Sequence, residues 1–196
     1  MAERARRSSA LDGAGPAGSS GPALLLAERP GLTLVHLAGS PARASFLEAA
    51  RSVLGVALPL KPNTTARTQE LTAFWLAPTR WLIESERLAA ADFEDRLREV
   101  PAAAGVAIAD VSGGRTVIRI SGGAARRTLA KRCPIDLHPR VFTPGSMAHT
   151  MLEGMAVMLH ELPEGDTFDL YVARSYALAA WARLTQEDDA LGREPR

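Results

Sequence analysis

Cysteine is almost absent from this chain, which has one, Cys133, among 196 residues. A single thiol cannot form an intrachain disulfide or supply a multi-cysteine zinc or iron–sulfur site. An excess of charge of one sign is also missing, because 23 basic side chains face 22 acidic ones. Such a chain has no one-sided field to attract nucleic acid or an anionic membrane. These absences favour a protein of the reducing cytoplasm that binds neither nucleic acid nor a membrane.

Long hydrophobic runs are missing as well. The densest apolar stretch, Met155–Leu159, is far shorter than the roughly 20 residues that a membrane-spanning helix needs. Apolar residues nevertheless make up 46% of the chain, which is enough for a buried core.

The two ends of the chain differ from the rest in composition. Residues 1–22 are rich in Ser, Gly, Ala and Pro, and residues 186–196 are polar, so we expect a disordered N-terminal tail and a flexible C-terminal tail. Glu3 and Asp12 argue against a transit peptide. Residues 23–185 are expected to form the folded domain.

Strands and helices are mixed within each of two expected halves of that domain, at about 30–101 and 105–185. In the first half the patterns predict a strand at 32–37, a helix from Ser40-Pro41 to about Leu54, a hairpin of strands at 71–76 and 81–84, and a helix at 90–100. In the second half they predict a hairpin of strands at 106–111 and 116–120, a helix capped by Ser121 and reaching Lys131, strands at 146–152, 156–160 and 168–172, and a helix at 175–184. This order predicts an α+β fold of two βαββα-like halves, each an antiparallel or mixed sheet covered by helices.

Two prolines give the segment Lys131–Phe142 a restricted backbone. Pro134 and Pro139 disfavour helical conformation at the residues before them, Cys133 and His138, and they remove two backbone donors. Residues 135–137 can then form only a short extended piece between turns. The pattern indicates a rigid corner rather than a catalytic loop.

Cys133 is a candidate for nucleophilic chemistry. A nucleophilic thiol needs a base or a cation to lower its pKa, and Lys131, Arg132 and His138 are close in sequence. A lone cysteine before proline at a helix end is, however, more often a small buried residue. A structural role is therefore favoured.

Acidic side chains and histidines offer no strong site. His138, His149 and His160 could bind a metal with Asp136 and Glu161, but they lack the close spacing of known metal motifs. Glu161, Asp166 and Asp169 are expected at solvated positions beside strand ends and turns. We therefore predict no metal site and no catalytic carboxylate pair.

Two glycine-rich segments, Ser112–Arg115 and Ser121–Gly123, could in principle bind a phosphate through backbone N–H groups. Neither matches a nucleotide-binding motif, and a turn and a helix cap account for both.

Tryptophan and arginine supply the remaining candidates. Trp75, Trp81 and Trp181 have the spacing of core residues, with a partner surface as the alternative, because tryptophan and arginine are enriched at interface centres. Arg140 and Arg174 are candidates on the same grounds, although a solvated position is favoured for each.

Five short motifs carry a resemblance to known families. They are Asp110-Val-Ser112, Arg119-Ile-Ser-Gly122, Cys133-Pro-Ile-Asp-Leu-His-Pro139, Arg174-Ser175 and Trp75-Leu-Ala-Pro-Thr-Arg-Trp-Leu82. Over Gly105–Leu184 the order of motifs is similar to that of the folate-binding domain of the glycine-cleavage aminomethyltransferase. The chain resembles the γ subunit family of heterotetrameric sarcosine oxidase more closely, over about Leu32–Leu184.

The resemblance implies a non-catalytic structural subunit that assembles with α, β and δ subunits. That complex demethylates sarcosine oxidatively to glycine and hydrogen peroxide and, with tetrahydrofolate, forms 5,10-methylenetetrahydrofolate. The resemblance also implies that FAD, FMN, NAD and tetrahydrofolate bind to the partner subunits and zinc to the δ subunit. It implies no cofactor in this chain. The alternative is a stand-alone folate-binding protein similar to the aminomethyltransferase. The structural or interface candidates are Cys133, Pro134, Asp136, His138, Pro139, Arg140, Arg174, Trp75, Trp81 and Trp181.

Overall fold

A computed structural model of the chain describes residues 9–12, 23–98 and 106–186. Its strands are β1 Leu25–Glu28, β2 Thr33–Ala38, β3 Thr65–Arg67, β4 Leu71–Ala77, β5 Arg80–Ser85, β6 Ala107–Asp110, β7 Arg115–Ser121, β8 Met147–Leu152, β9 Met155–Glu161 and β10 Phe168–Ala173. Its helices are α1 Ala44–Leu54, α2 Ala90–Arg98, α3 Ala125–Arg132 and α4 Ala177–Thr185. The two five-stranded sheets with helices confirm the predicted α+β class.

The described residues divide into two compact units. The first unit comprises residues 30–115 and 145–148, and the second comprises the remainder. Of the predicted N-terminal tail, only residues 9–12 are described; Leu11 is buried and Ser9 Oγ donates a hydrogen bond to Glu28. The other tail residues, apart from Gln186, and the end of the predicted helix at 99–100 lie outside the described part of the chain.

The first unit is a sheet of order β3-β4-β5-β2-β6 with its core on the α1 side. Trp81 lies at the centre of that core, fully buried, with its ring centroid 5.6 Å from that of Phe46. Its indole Nε1 donates a 2.7 Å hydrogen bond to Pro59 O, so the polar end of the ring is satisfied. The residues that complete the core are Val35, Leu37, Ala50, Leu54, Leu58, Leu71, Ala73 and Ile83.

Helix α1 begins at Ala44, four residues after the predicted cap at Ser40. Arg43 occupies the N-cap position with extended backbone and no side-chain hydrogen bond, so the predicted serine cap was wrong. Arg43 N donates a 3.1 Å hydrogen bond to Ser40 O, so residues 40–43 form a turn before the helix starts. Phe46 of the first helical turn packs against Gly39, where a Cβ would come within 2.4 Å of its ring.

The hairpin predicted at 106–120 does not form. β6 pairs with β2 in the sheet of the first unit, whereas β7 belongs to the sheet of the second unit. A short 3-10 turn, Ser112–Gly114, joins them, and Leu34 N donates a 2.9 Å hydrogen bond to Ser112 Oγ. Pairing with β2 therefore replaces the local pairing that the glycines suggested.

The second unit is built on a sheet of order β1-β7-β10-β9-β8. Ser121 is the last residue of β7 rather than a helix cap, and α3 starts at Ala125 without a side-chain cap. Gly122 makes the turn between them with a φ of +97°, where a Cβ would lie 2.6 Å from Ala23 O. Glycine is required here because the backbone just before β1 approaches so closely.

Asp169 is buried in this sheet, with 1% of its surface exposed, although the sequence pattern predicted a solvated position. Arg29 Nη1 lies 2.7 Å from Asp169 Oδ2, and Arg119 donates through Nε and Nη2 to the two carboxylate oxygens at 2.9 Å each. Two guanidinium groups compensate the buried charge. The contact joins residues that are 140 positions apart in one case, which no local pattern reveals.

Asp169→Asn should lower the free energy of unfolding by about 3 kcal/mol, because it leaves two guanidinium groups without their anion. Urea denaturation followed by circular dichroism measures this change. Glu48→Gln, on the exposed face of α1, is the control and should change stability by less than about 0.5 kcal/mol. Equal stability of the two variants would show that the ion pairs of Asp169 with Arg29 and Arg119 do not stabilise the fold.

Candidate interaction surface

The segment 133–144, here called the corner loop, connects α3 to β8. It contains no strand of either sheet. It buries Cys133, Leu137 and Phe142. The side chains that it exposes include Pro134, Asp136, His138, Pro139, Arg140 and Val141. The three buried side chains anchor the loop to the core, and the residues between them are exposed at the surface.

Local hydrogen bonds fix the backbone of the corner loop around its prolines. Asp136 Oδ1 accepts from His138 N at 2.8 Å, and His138 Nδ1 accepts from Arg140 N at 3.2 Å. His138 O also accepts from the backbone N–H groups of Val141 and Phe142, at 2.8 and 2.9 Å. In turns, short polar side chains accept hydrogen bonds from backbone N–H groups that have no partner in a helix or sheet. The predicted rigid corner is thus present as a closed turn, and it contains no strand.

Arg126 of α3 ties the corner loop to the rest of the unit. Its Nη1 donates to the carbonyl oxygens of Leu137 and Phe142, at 2.7 and 3.1 Å. Its Nε donates to Asp166 at 2.9 Å, and the guanidinium lies 5.1 Å from the centroid of the Phe168 ring. The planar fork of arginine allows one side chain to satisfy several acceptors.

Glu161 is the anion that compensates Arg126. It is completely buried at the end of β9, where the sequence predicted a solvated side chain, and its Oε1 accepts from Arg126 Nη2. The other oxygen, Oε2, has no hydrogen-bond partner among the described residues. A buried carboxylate of this kind requires a cation nearby. Glu161 therefore fixes the position of the Arg126 guanidinium, which also donates hydrogen bonds to the corner loop.

Val141 and Arg140 form the most distinctive part of the exposed loop surface. Val141 has 61% of its surface exposed, the highest fraction of any large hydrophobic residue in the described ranges. Arg140 beside it is exposed, and the described residues provide no ion pair for it. An apolar group next to a cation on a fixed backbone suits a protein surface that offers a carboxylate beside an apolar patch.

Comparison with known proteins places the chain in a family. Residues 38–190 match the family model described as "Sarcosine oxidase, gamma subunit family". The chain belongs to this family. Proteins named sarcosine oxidase subunit gamma from Corynebacterium sp. (strain P-1) and Arthrobacter sp are each 34% identical to it, over 145 and 149 residues. Both alignments cover 72% of this chain and 69% of the relative. The resemblance drawn from the motifs is confirmed.

Two solved structures share the fold of this chain. A chain of the heterotetrameric sarcosine oxidase from Corynebacterium sp. U-96, solved with pyrrole 2-carboxylate, matches with a TM-score of 0.72 and 24% identity, covering 92% of this chain and 94% of that one. Aminomethyltransferase T of the glycine cleavage system from Bartonella henselae matches with a TM-score of 0.60 and 15% identity, covering 83% of this chain and 45% of that one. At these identities the matches show the fold alone.

Cys133 lies at the buried start of the corner loop. Burial raises the pKa of its thiol from 9.0 to about 11; Arg132 opposes this rise and Glu153 adds to it. A protonated, buried thiol is a poor nucleophile. Cys133 is therefore a small buried residue, as the sequence pattern favoured.

The other predicted residues are spread over both units and do not converge on one site. In the first unit Trp75 is half-buried directly opposite the core residue Trp81. In the second unit Trp181 is buried in α4, and Arg174 is half-buried in the short 3-10 turn that precedes this helix. Only the residues of the corner loop form a continuous exposed group.

A search of the described residues found no group of three His, Cys, Asp or Glu side chains that could hold a metal ion. Among the helices that the structure describes, none is long and apolar enough to cross a membrane.

Sequence reasoning missed Arg126 and Val141, and it placed the buried Glu161 in solvent. Arg126 is one of two adjacent arginines in an ordinary polar helix, and its acceptors lie 11, 16, 35 and 40 residues away. No local pattern distinguishes it from Arg127. Val141 could have been noticed as an apolar residue two positions after the second proline, in a segment too constrained for a strand.

Cys133 should react slowly with a thiol reagent at pH 8 in the folded chain, because a pKa about two units higher reduces the thiolate fraction roughly a hundredfold. The rate of reaction with Ellman's reagent measures this, and the same chain in urea should react at the rate of a free cysteine. Fast, complete modification of the folded chain at pH 8 would contradict the buried position.

Arg126→Lys should loosen the corner loop while leaving a cation beside Glu161, because an ammonium group cannot reproduce the fork that holds both loop carbonyls. We expect amide hydrogen exchange at Val141 and Phe142 to become about tenfold faster. Mass-spectrometric or NMR exchange measures this change. Arg127→Lys, at the exposed neighbouring position, is the matched control, and unchanged exchange in Arg126→Lys would mean that the local turns suffice.

Proposed function

We propose that this chain is the non-catalytic structural γ subunit of a heterotetrameric sarcosine oxidase and assembles with α, β and δ subunits. The observation that carries this proposal is membership of the gamma subunit family over residues 38–190. The complex would demethylate sarcosine oxidatively to glycine and hydrogen peroxide and, with tetrahydrofolate, yield 5,10-methylenetetrahydrofolate.

The redox and folate chemistry in this proposal belongs to the partner subunits, which would hold FAD, FMN, NAD and tetrahydrofolate, with zinc in the δ subunit. The local geometry of this chain supports the assignment. The segment Ser112–Gly114 is a turn anchored to Leu34, and Gly122 is required by the close approach of Ala23. Both glycine segments thus have structural roles. A cytoplasmic location fits the single cysteine, which is a free buried thiol.

We infer that the corner loop is one surface through which the chain contacts its partners. Three properties support this: the backbone is fixed by local hydrogen bonds and by Arg126, Val141 is unusually exposed for an apolar residue, and Arg140 is a cation without an ion pair among the described residues. A loop that is ordered before binding loses little conformational entropy on association. The side chains that would make contact are Pro134, His138, Pro139, Arg140 and Val141.

Co-expression of a tagged chain with the candidate α, β and δ subunits tests the assembly directly. We expect stoichiometric co-purification with large chains and a flavin absorption spectrum, and no sarcosine oxidation by the tagged chain alone. A colourless, monodisperse single chain that releases heat on titration with tetrahydrofolate would instead support the stand-alone folate-binding alternative.

Val141→Asp and Arg140→Glu test the corner loop within that assembly. Each variant should weaken association at least about tenfold, the effect expected of a residue near the centre of an interface. Quantitative pull-down at decreasing subunit concentration measures this. Arg127→Glu, an exposed charge reversal on the neighbouring helix, is the control. If all three variants assemble like the parent chain, the interface lies elsewhere even though the subunit role stands.

A further inference from the structure

A group of basic side chains lies on the face of the first unit's sheet that points away from α1. Val35 and Leu37 of β2 pack in the core on the α1 side, so His36 and Ala38 between and beyond them face the other way. Arg80 of β5 is directly opposite Ala38 in the register. It therefore lies on the same face as His36, one diagonal step away.

Arg115 is the third member of this group. It follows the 3-10 turn Ser112–Gly114, which the hydrogen bond from Leu34 N to Ser112 Oγ holds against β2 only two residues from His36. Its side chain is half-buried. Burial lowers the pKa of His36 most, and the charges of Arg115 and Arg80 lower it further, which agrees with their closeness to the imidazole ring.

His36 has a large neighbour on one side and small neighbours on the other. Leu82 of β5 is directly opposite His36 and is fully buried. On β6, the edge strand on the other side of β2, Ala109 is opposite His36 and Ala107 is opposite Ala38, and both alanines are exposed. The β6 side of His36 therefore carries exposed methyl groups, and a small molecule would approach the ring from this side.

Among the described residues, no carboxylate forms an ion pair with the two arginines of this group. In the parts of the chain that the structure describes, His36 Nε2 is buried without a hydrogen-bond partner. Glu84 is on the same face, directly opposite Leu34, and no ion pair within the described ranges joins it to Arg80 or Arg115. A half-buried guanidinium without an anion carries a desolvation cost, which also lowers the pKa of Arg115.

We propose that His36, Arg80 and Arg115 form a binding site for a small oxyanion, either a carboxylate or a phosphate. Two guanidinium groups offer several N–H donors in planar geometry, and oxyanions accept such bonds strongly. The imidazole adds one further donor. This inference does not depend on the subunit role proposed above.

Titration of the isotope-labelled full-length chain with sodium acetate and with sodium phosphate, at constant ionic strength, tests the site. The ring signals of His36, assigned through His36→Gln, should shift saturably, and the pKa of His36 should rise when the anion is bound. Arg115→Gln and Arg80→Gln should each weaken binding about tenfold or more, the loss of one charge-assisted contact. Arg51→Gln, an exposed position on α1 at the opposite face, should bind like the parent chain.

Two outcomes would overturn the proposal: neither anion shifts the His36 signals, or the arginine variants bind as the parent does. Because Arg80 is exposed at the start of its strand, Arg80→Gln remains informative even if Arg115→Gln fails to fold. Calorimetric titration of the purified assembly then distinguishes a free anion from a carboxylate of a partner chain as the natural ligand. Phosphate or acetate heat that persists there indicates a free anion as the ligand. Heat that is lost on assembly indicates that a carboxylate of a partner chain fills the site.

Discussion

The second unit depends on two buried carboxylates and on the arginines that neutralise them. Transfer of a carboxylate out of water costs several kcal/mol unless a cation accompanies it, so Glu161 and Asp169 each determine where an arginine must lie. Asp169 joins the strands β1, β7 and β10 through Arg29 and Arg119. Glu161 joins β9 to α3 through Arg126. The electrostatic pairs thereby connect elements that are remote in sequence.

The corner loop is a consequence of the second of these pairs. Arg126 is directed by Glu161 and can then donate to two loop carbonyls, which would otherwise have to be solvated. The prolines and the Asp136–His138 turn restrict the same segment from within. An exposed loop that is fixed both internally and from the core presents a constant surface, which is the property that tight association with another protein requires.

Local physical signals predicted the parts of the fold that depend on neighbouring residues. The hairpin of β4 and β5 follows from alternating apolar residues around a short turn, and α1 ends at Gly55 because glycine adopts left-handed backbone readily. The sequence could not predict that β6 pairs with β2, or that Glu161 and Asp169 are buried. Those outcomes depend on partners tens of residues away, where tertiary pairing outweighs the local preference. The corner loop was recognised because proline acts on its immediate neighbours, whereas Arg126 was not because its acceptors are distant.

The same requirement for charge balance separates two kinds of arginine in this chain. Arg29, Arg119 and Arg126 have carboxylates supplied by their own unit, and they serve the stability of the fold. Arg115 is comparably withdrawn from solvent but has no such anion among the described residues. Folding alone does not account for a guanidinium that is desolvated without compensation, since an apolar residue there would avoid the cost. Within the described residues nothing supplies the compensating charge, and this is the physical reason for assigning Arg115 to a proposed anion site rather than to the stability of the fold.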